Sequence, residues 1–94
     1  MKRTTSAKRL SAQLGIPAAR GLEAVLKAQL IAAVCREADR QGLTHAQIAE
    51  RSGLPRSAVT GIVSGSLQKV TIDRVLRLVE AVGLEAEIKL RRAA

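Results

Sequence analysis

Arg56, Ser57 and Thr60 stand close together in a segment that carries no acidic residue from Leu54 to Gly65. Helical spacing would set them on one exposed face. A guanidinium donates through a planar fork, and a hydroxyl both donates and accepts. Groups of this kind suit flat polar edges and phosphate oxygens. Arg takes guanine bidentately, Ser and Thr take base edges or phosphates, and a Thr methyl touches the thymine methyl. Gly61 beside them leaves room for a close approach of the backbone. The positive end of such a helix adds attraction for phosphate.

Chemistry of other kinds finds no purchase in the sequence. The chain has one His, His45, and one Cys, Cys35. That is too few for a metal set, and no cofactor or metal is expected. There is no nucleophile elbow, no phosphate-binding Gly-Lys loop and no zinc-protease motif. The chain is expected not to be an enzyme. A solvated role for His45 stands beside a contact to phosphate.

The elements that would hold the polar face follow from the flanking residues. Thr44 with Gln47 three positions on fits a capping box and starts a helix. Ile48 and Ala49 face inward, and Ser52-Gly53 ends that helix. Gly53 tolerates the positive φ of a tight turn. Pro55 suits the first turn of the next helix, which runs to about Ser64 and stops at Gly65. Ile48, Leu54, Val59 and Ile62 are the expected anchors, with small Ala49 where the helices cross. A helical hairpin that only packs explains those anchors, but not an acid-free polar face in a basic chain.

Around this pair the sequence supplies further elements. A helix from Ala18 or Leu22 to about Arg40 carries two apolar stripes, one of Leu30, Ile31, Val34 and Ala38, the other of Leu22, Leu26 and Ala33. Two stripes suggest packing on two sides. Cys35 on this helix is expected to be a small buried hydrophobe. Thr71 caps a further helix with Ile72, Val75, Leu76, Val79 and Val82 at helical spacing, and Gly83 is a left-handed stop. After it Leu84, Ala86, Ile88 and Leu90 alternate with Glu85, Glu87, Lys89 and Arg91. That period of two predicts one half-buried strand. A lone strand leaves its backbone groups unpaired, so two copies are expected to pair these strands in a homodimer. A frayed tail or a continued helix is the alternative.

Sixteen Lys and Arg against eight Asp and Glu give the 94-residue chain a net charge of +8. Such a balance favours a polyanionic partner. Lys2, Arg3, Lys8, Arg9 and Arg20 precede the first acid, Glu23, and Lys89, Arg91 and Arg92 cluster at the other end. No apolar run approaches the roughly 20 residues that span a bilayer, so no membrane partner is expected. The lone Cys35 fits a reducing compartment. The absence of Phe, Tyr and Trp leaves a core of Leu, Ile, Val and Ala.

The stretch Leu43 to Gly65 resembles the helix-turn-helix of the lambda-repressor and Cro-like family, also called XRE. That family's pattern is Leu-Thr-Gln-x-x-x-Ala, a Gly turn, and a recognition helix ending in Gly. The likeness extends over Thr71–Gly83, and the tail Leu84–Leu90 is similar to that of short regulators including antitoxins of the HigA type. His45 replaces the family's usual Gln, and Leu54-Pro55 its usual Ser or Thr cap. The resemblance implies an all-α fold of four to five helices with one C-terminal β-strand pairing across a dimer. It divides the chain into a basic arm at 1–20, a DNA-binding domain at 21–83, and a dimerisation strand and tail at 84–94. It implies base contacts from Arg56, Ser57 and Thr60, and backbone contacts from Thr44, His45, Gln47, Gly61 and Lys69. Leu84, Ala86, Ile88 and Leu90 are the expected dimer interface. The implied function is that of a cytoplasmic homodimeric transcriptional regulator, a repressor on double-stranded DNA. The alternatives are an autoregulating antitoxin that also binds a toxin, and an interaction or RNA-binding module.

Overall fold

The computed structural model describes residues 18–66 and 70–92. The arm cations Lys2, Arg3, Lys8 and Arg9, a possible short helix at 7–14, and Lys69 lie outside the described residues. Four helices follow one another: α1 (Ala18–Gln41), α2 (His45–Ser52), α3 (Arg56–Val63) and α4 (Ile72–Ala81). The described part is all-α, as the Leu- and Ala-rich composition predicts.

One apolar cluster joins the helices. Ile31, Val34 and Ala38 come from α1, Ile48 from α2, Val59 and Ile62 from α3, and Val75, Leu78 and Val79 from α4; Leu54 and Val82 complete it. The expected first stripe of α1 is therefore the core stripe, with Leu30 partly buried against the cluster. The second stripe is not covered to the same extent: Leu22 and Leu26 are 49% and 41% exposed. Cys35 is half-buried rather than buried. Its thiol points toward the Val63 carbonyl at 3.9 Å, and desolvation, helped by the Asp39 charge, pushes its pKa up. Cys35 packs against the core cluster, and the raised pKa suppresses its thiolate.

The start of α2 is held by the predicted capping box. Thr44 Oγ1 accepts from Gln47 N–H at 3.1 Å, and Gln47 Oε1 accepts from Thr44 N–H at 2.8 Å. α2 ends at Gly53, which takes φ 74° and donates its N–H to the Ala49 carbonyl at 3.0 Å. A side chain there would meet no atom, so the demand for glycine comes from the backbone alone. Ser52 steadies the same turn: its hydroxyl donates to Ala49 O and accepts from Leu54 N–H, each at 3.3 Å.

Two expectations shift at the later boundaries. Pro55 is not in the first turn of α3 but just before it, with φ −60° and ψ 145°. Its fixed φ fits either place, and its extended ψ delays the helix to Arg56. After α4, Gly83 adopts φ 84°. Its N–H donates to Glu80 O at 2.9 Å, and Leu84 N–H donates to Val79 O at 3.0 Å. These two bonds are a Schellman close. They turn the chain off the helix axis, so the tail is not a continuation of α4.

Residues 84–92 form neither helix nor strand in the single chain. The predicted C-terminal strand is thus not seen here; a ladder needs a second strand, and the described part of one chain supplies none. Among the described residues no helix is long and apolar enough to cross a membrane.

Candidate nucleic-acid interface

α2 and α3 form an αα pair whose inner faces are consumed by the core. Ile48, Leu54, Val59 and Ile62 are all buried, and Ala49 packs partly against them. This fixes the rotation of α3. With Val59 and Ile62 inward, Arg56, Ser57 and Thr60 are turned to the surface, and all three are exposed. Gly61 is half-buried beside them. The three expected base-contacting residues therefore share one accessible helix with no acidic residue in it.

The helix start offers more than side chains. No side chain caps α3, and the Pro55 carbonyl receives the N–H groups of Ala58 and Val59 at 3.0 and 3.1 Å. The N–H groups of Arg56 and Ser57 have no such acceptor among the described residues. Free N–H groups at the positive helix end are suited to an anionic oxygen.

α2 contributes at its own start. His45 Nδ1 lies 2.9 Å from Thr60 Oγ1, so the first residue of α2 is bonded to the middle of α3. Thr44 and Gln47 are committed to the capping box, which sharpens their role. The Gln47 carboxamide must turn Oε1 to the Thr44 N–H, which leaves Nε2 as its free donor. The Thr44 hydroxyl accepts from Gln47 N–H and lies 3.3 Å from Gln47 Oε1, so it is already engaged within α2.

One residue emerges that sequence pattern did not single out. Arg74, in the first turn of α4, lines a shallow cleft with Ala58, Gly61, Ile62, Ser66 and Val70. Arg74 thus shares this cleft with Gly61 of α3. Its neighbour Asp73 is paired with Arg77 at 3.2 Å and so is partly neutralised. The only sequence signal for Arg74 was its place one turn inside a capped helix start, and that does not reveal proximity to Gly61.

Leu84, Ala86, Ile88 and Leu90 do not join this site. Leu84 is half-buried against the core, while Ala86, Ile88 and Leu90 are exposed. No group of three or more His, Cys, Asp or Glu able to hold a metal occurs among the described residues.

A family model described as a helix-turn-helix domain matches residues 10–91. No curated protein and no solved structure matches the chain.

Proposed function

This chain belongs to the helix-turn-helix domain family, and from that premise we propose that it is a sequence-specific transcriptional repressor that binds an inverted-repeat operator as a homodimer. The observation that carries the proposal is the exposed, acid-free face of α3, locked to α2 through His45 and Thr60. α3 would lie in the major groove. Arg56 would take a guanine, and Ser57 and Thr60 would take the adjoining base edges. His45, Gln47 Nε2 and the free N–H groups at the start of α3 would hold phosphates, with Gly61 admitting the backbone closely. Lys69 and the basic arm at 1–20 would add affinity without sequence information. The domain at 21–83 reads the DNA, and the tail at 84–94 joins two copies. The repressor works where its DNA is, in the cytoplasm.

Two-fold symmetry sets the expected operator. Half-sites would lie one helical turn apart, roughly 34 Å centre to centre. Selection of bound sequences from a random duplex pool tests this. An inverted repeat is expected. Recovery of no duplex motif, or equal retention of single-stranded RNA, would end the proposal in favour of an RNA-binding or interaction module.

A second function on the same fold has one observation in its favour. Leu22 and Leu26 leave an apolar stripe of α1 open, and an antitoxin would use such a stripe to hold its toxin. Copurification with the product of an adjacent small reading frame, abolished by Leu22→Glu with Leu26→Glu, would support it.

A further inference from the structure

We propose that two copies of this chain pair their tails as antiparallel strands in a single register, with Ile88 of each copy on the two-fold axis. The proposal deepens the homodimer above and rests on it. The surface is unpartnered in the single chain: Ile88 is 86% exposed and Leu90 is 91% exposed. The row they belong to runs into a groove lined by Leu76, Val79, Leu84 and Ala86, with Glu80 and Glu85 also lining it. Leu84 N–H is tied back to Val79. Beyond it, the backbone N–H and C=O groups of 85–92 show no bond to the described residues, and they form an open edge.

Charge selects the occupant and the register. The tail reads Leu84-Glu85-Ala86-Glu87-Ile88-Lys89-Leu90-Arg91-Arg92, with acids in its first half and bases in its second. A sequence that changes sign along its length complements its own reverse. In a two-fold antiparallel pair, opposite residues have numbers that sum to twice the residue on the axis. An axis between residues would set an apolar side chain against a charged one on every rung within 84–91. An axis on Ile88 places Glu87 opposite Lys89 and Glu85 opposite Arg91. On the other face it places Ile88 opposite Ile88 and Ala86 opposite Leu90. Every charged rung from 85 to 91 is then favourable.

The neighbouring registers all fail on charge. An axis on Glu87 sets Glu87 against itself. One on Lys89 sets Lys89 against itself. An axis on Ala86 opposes Glu85 to Glu87, and one on Leu90 opposes Lys89 to Arg91. Like charges directly opposite are destabilising, and opposite charges stabilise by a comparable amount. The Ile88 register is the one choice from 85 to 90 that contains no like-charge rung.

A charge swap tests the register. Glu87→Lys alone, or Lys89→Glu alone, creates two like-charge rungs by symmetry. Each is expected to raise the dimer dissociation constant about tenfold. Glu87→Lys combined with Lys89→Glu restores opposite charges only when the axis lies on Ile88, so the double variant should return to within a few-fold of wild type. With the axis on Glu87, Glu87→Lys would only exchange one like-charge rung for another, Lys89→Glu would set its new carboxylate against Glu85, and the double variant would stay as weak as Lys89→Glu. Sedimentation equilibrium of the full chain and its variants reads the constants, and far-ultraviolet circular dichroism checks that the helices are intact. In a Cys35→Ser background, Ile88→Cys should oxidise readily to a disulfide-linked dimer and Glu87→Cys should not. A wild-type monomer, a double variant as weak as Lys89→Glu, a Glu87→Lys variant that pairs as tightly as wild type, or faster oxidation at position 87 would overturn the proposal. None of these measurements involves DNA. A rescued dimer that binds no duplex would end the repressor reading and leave the tail pairing, whereas a monomer that still binds a half-site would end the tail pairing and the homodimer with it and leave DNA binding.

Discussion

His45 Nδ1 and Thr60 Oγ1 lie 2.9 Å apart, fifteen residues distant in sequence, and this contact couples the first turn of α2 to the exposed face of α3. A threonine hydroxyl that bridges to a neighbouring ring is no longer a free rotor. Its remaining donor or acceptor capacity points in one direction, which a base edge can exploit. His45 is thus a positioning residue for Thr60, besides any phosphate contact of its own.

His45→Ala should therefore weaken binding to the selected operator by about fivefold to thirtyfold, on the order of 1–2 kcal/mol for one lost bond. The melting temperature should change little, because the contact is at the surface. Combined with Thr60→Ala the losses should be less than additive, since the two residues act as a unit. Fluorescence anisotropy across the four proteins measures the coupling. Full additivity would show that the pair acts independently on DNA.

Gly61→Ala separates folding from binding. Gly61 is inside α3, and an added Cβ meets no protein atom within 4 Å. Alanine in a helix is favoured over glycine, so the variant should be more stable by about 0.5–1 kcal/mol. If the backbone approaches DNA there, the same variant should bind its operator less tightly. Denaturant unfolding and operator titration of one preparation check both. Greater stability with unchanged affinity would remove Gly61 from the interface.

If Arg74, which shares the cleft at Gly61, reaches a phosphate, Arg74→Ala should weaken every duplex by a similar factor. A phosphate contact carries no sequence information, and its loss should lower the slope of log affinity against log salt by about 1. A change in base preference instead would make Arg74 a base reader.

Part of the acid response should trace to the network around Glu37, beside the Glu23–Lys27 pair, whose carboxylate is also held below its ordinary pKa. Glu37 accepts from Arg40 Nε at 3.0 Å and from Gln41 Nε2 at 2.9 Å. Those bonds, Arg40's first, hold its pKa at about 2 against an ordinary 4.5. Gln41 Nε2 also donates to Val82 O at 2.8 Å, tying the end of α1 to the end of α4. A folded pKa below the unfolded one gives stability that is fully present above about pH 4.5 and is lost as pH falls through about 2. Melting temperatures of wild type and Glu37→Gln should differ at neutral pH and converge in that acid window. A constant difference down to pH 2 would sink this assignment.

Much of this architecture is legible in the sequence because it is local. The Thr44–Gln47 box, the left-handed Gly53 and Gly83, and the anchors Ile48, Leu54, Val59 and Ile62 all follow from spacing within a turn or two. Once those anchors are inward, the outward set Arg56, Ser57 and Thr60 follows as well. What the sequence did not disclose depends on how helices cross. The His45–Thr60 bond, Arg74 beside Gly61, and the Gln41–Val82 tie join residues far apart along the chain. Pro55 was displaced by one residue, since its φ fits both sides of a helix start. The strand at 84–90 was expected from alternation alone, and alternation gives one strand's faces without supplying its partner.

Methylation interference on the selected operator reports on guanine N7 in the major groove, where α3 would read its bases. Wild-type protein should be blocked by methylation at guanines in two half-sites about one helical turn apart. Arg56→Ala should lose interference at one guanine per half-site and relax base preference at that position, at a cost of about 1–3 kcal/mol. An unchanged interference pattern in Arg56→Ala, or a loss of affinity equal on every sequence, would contradict base reading by α3.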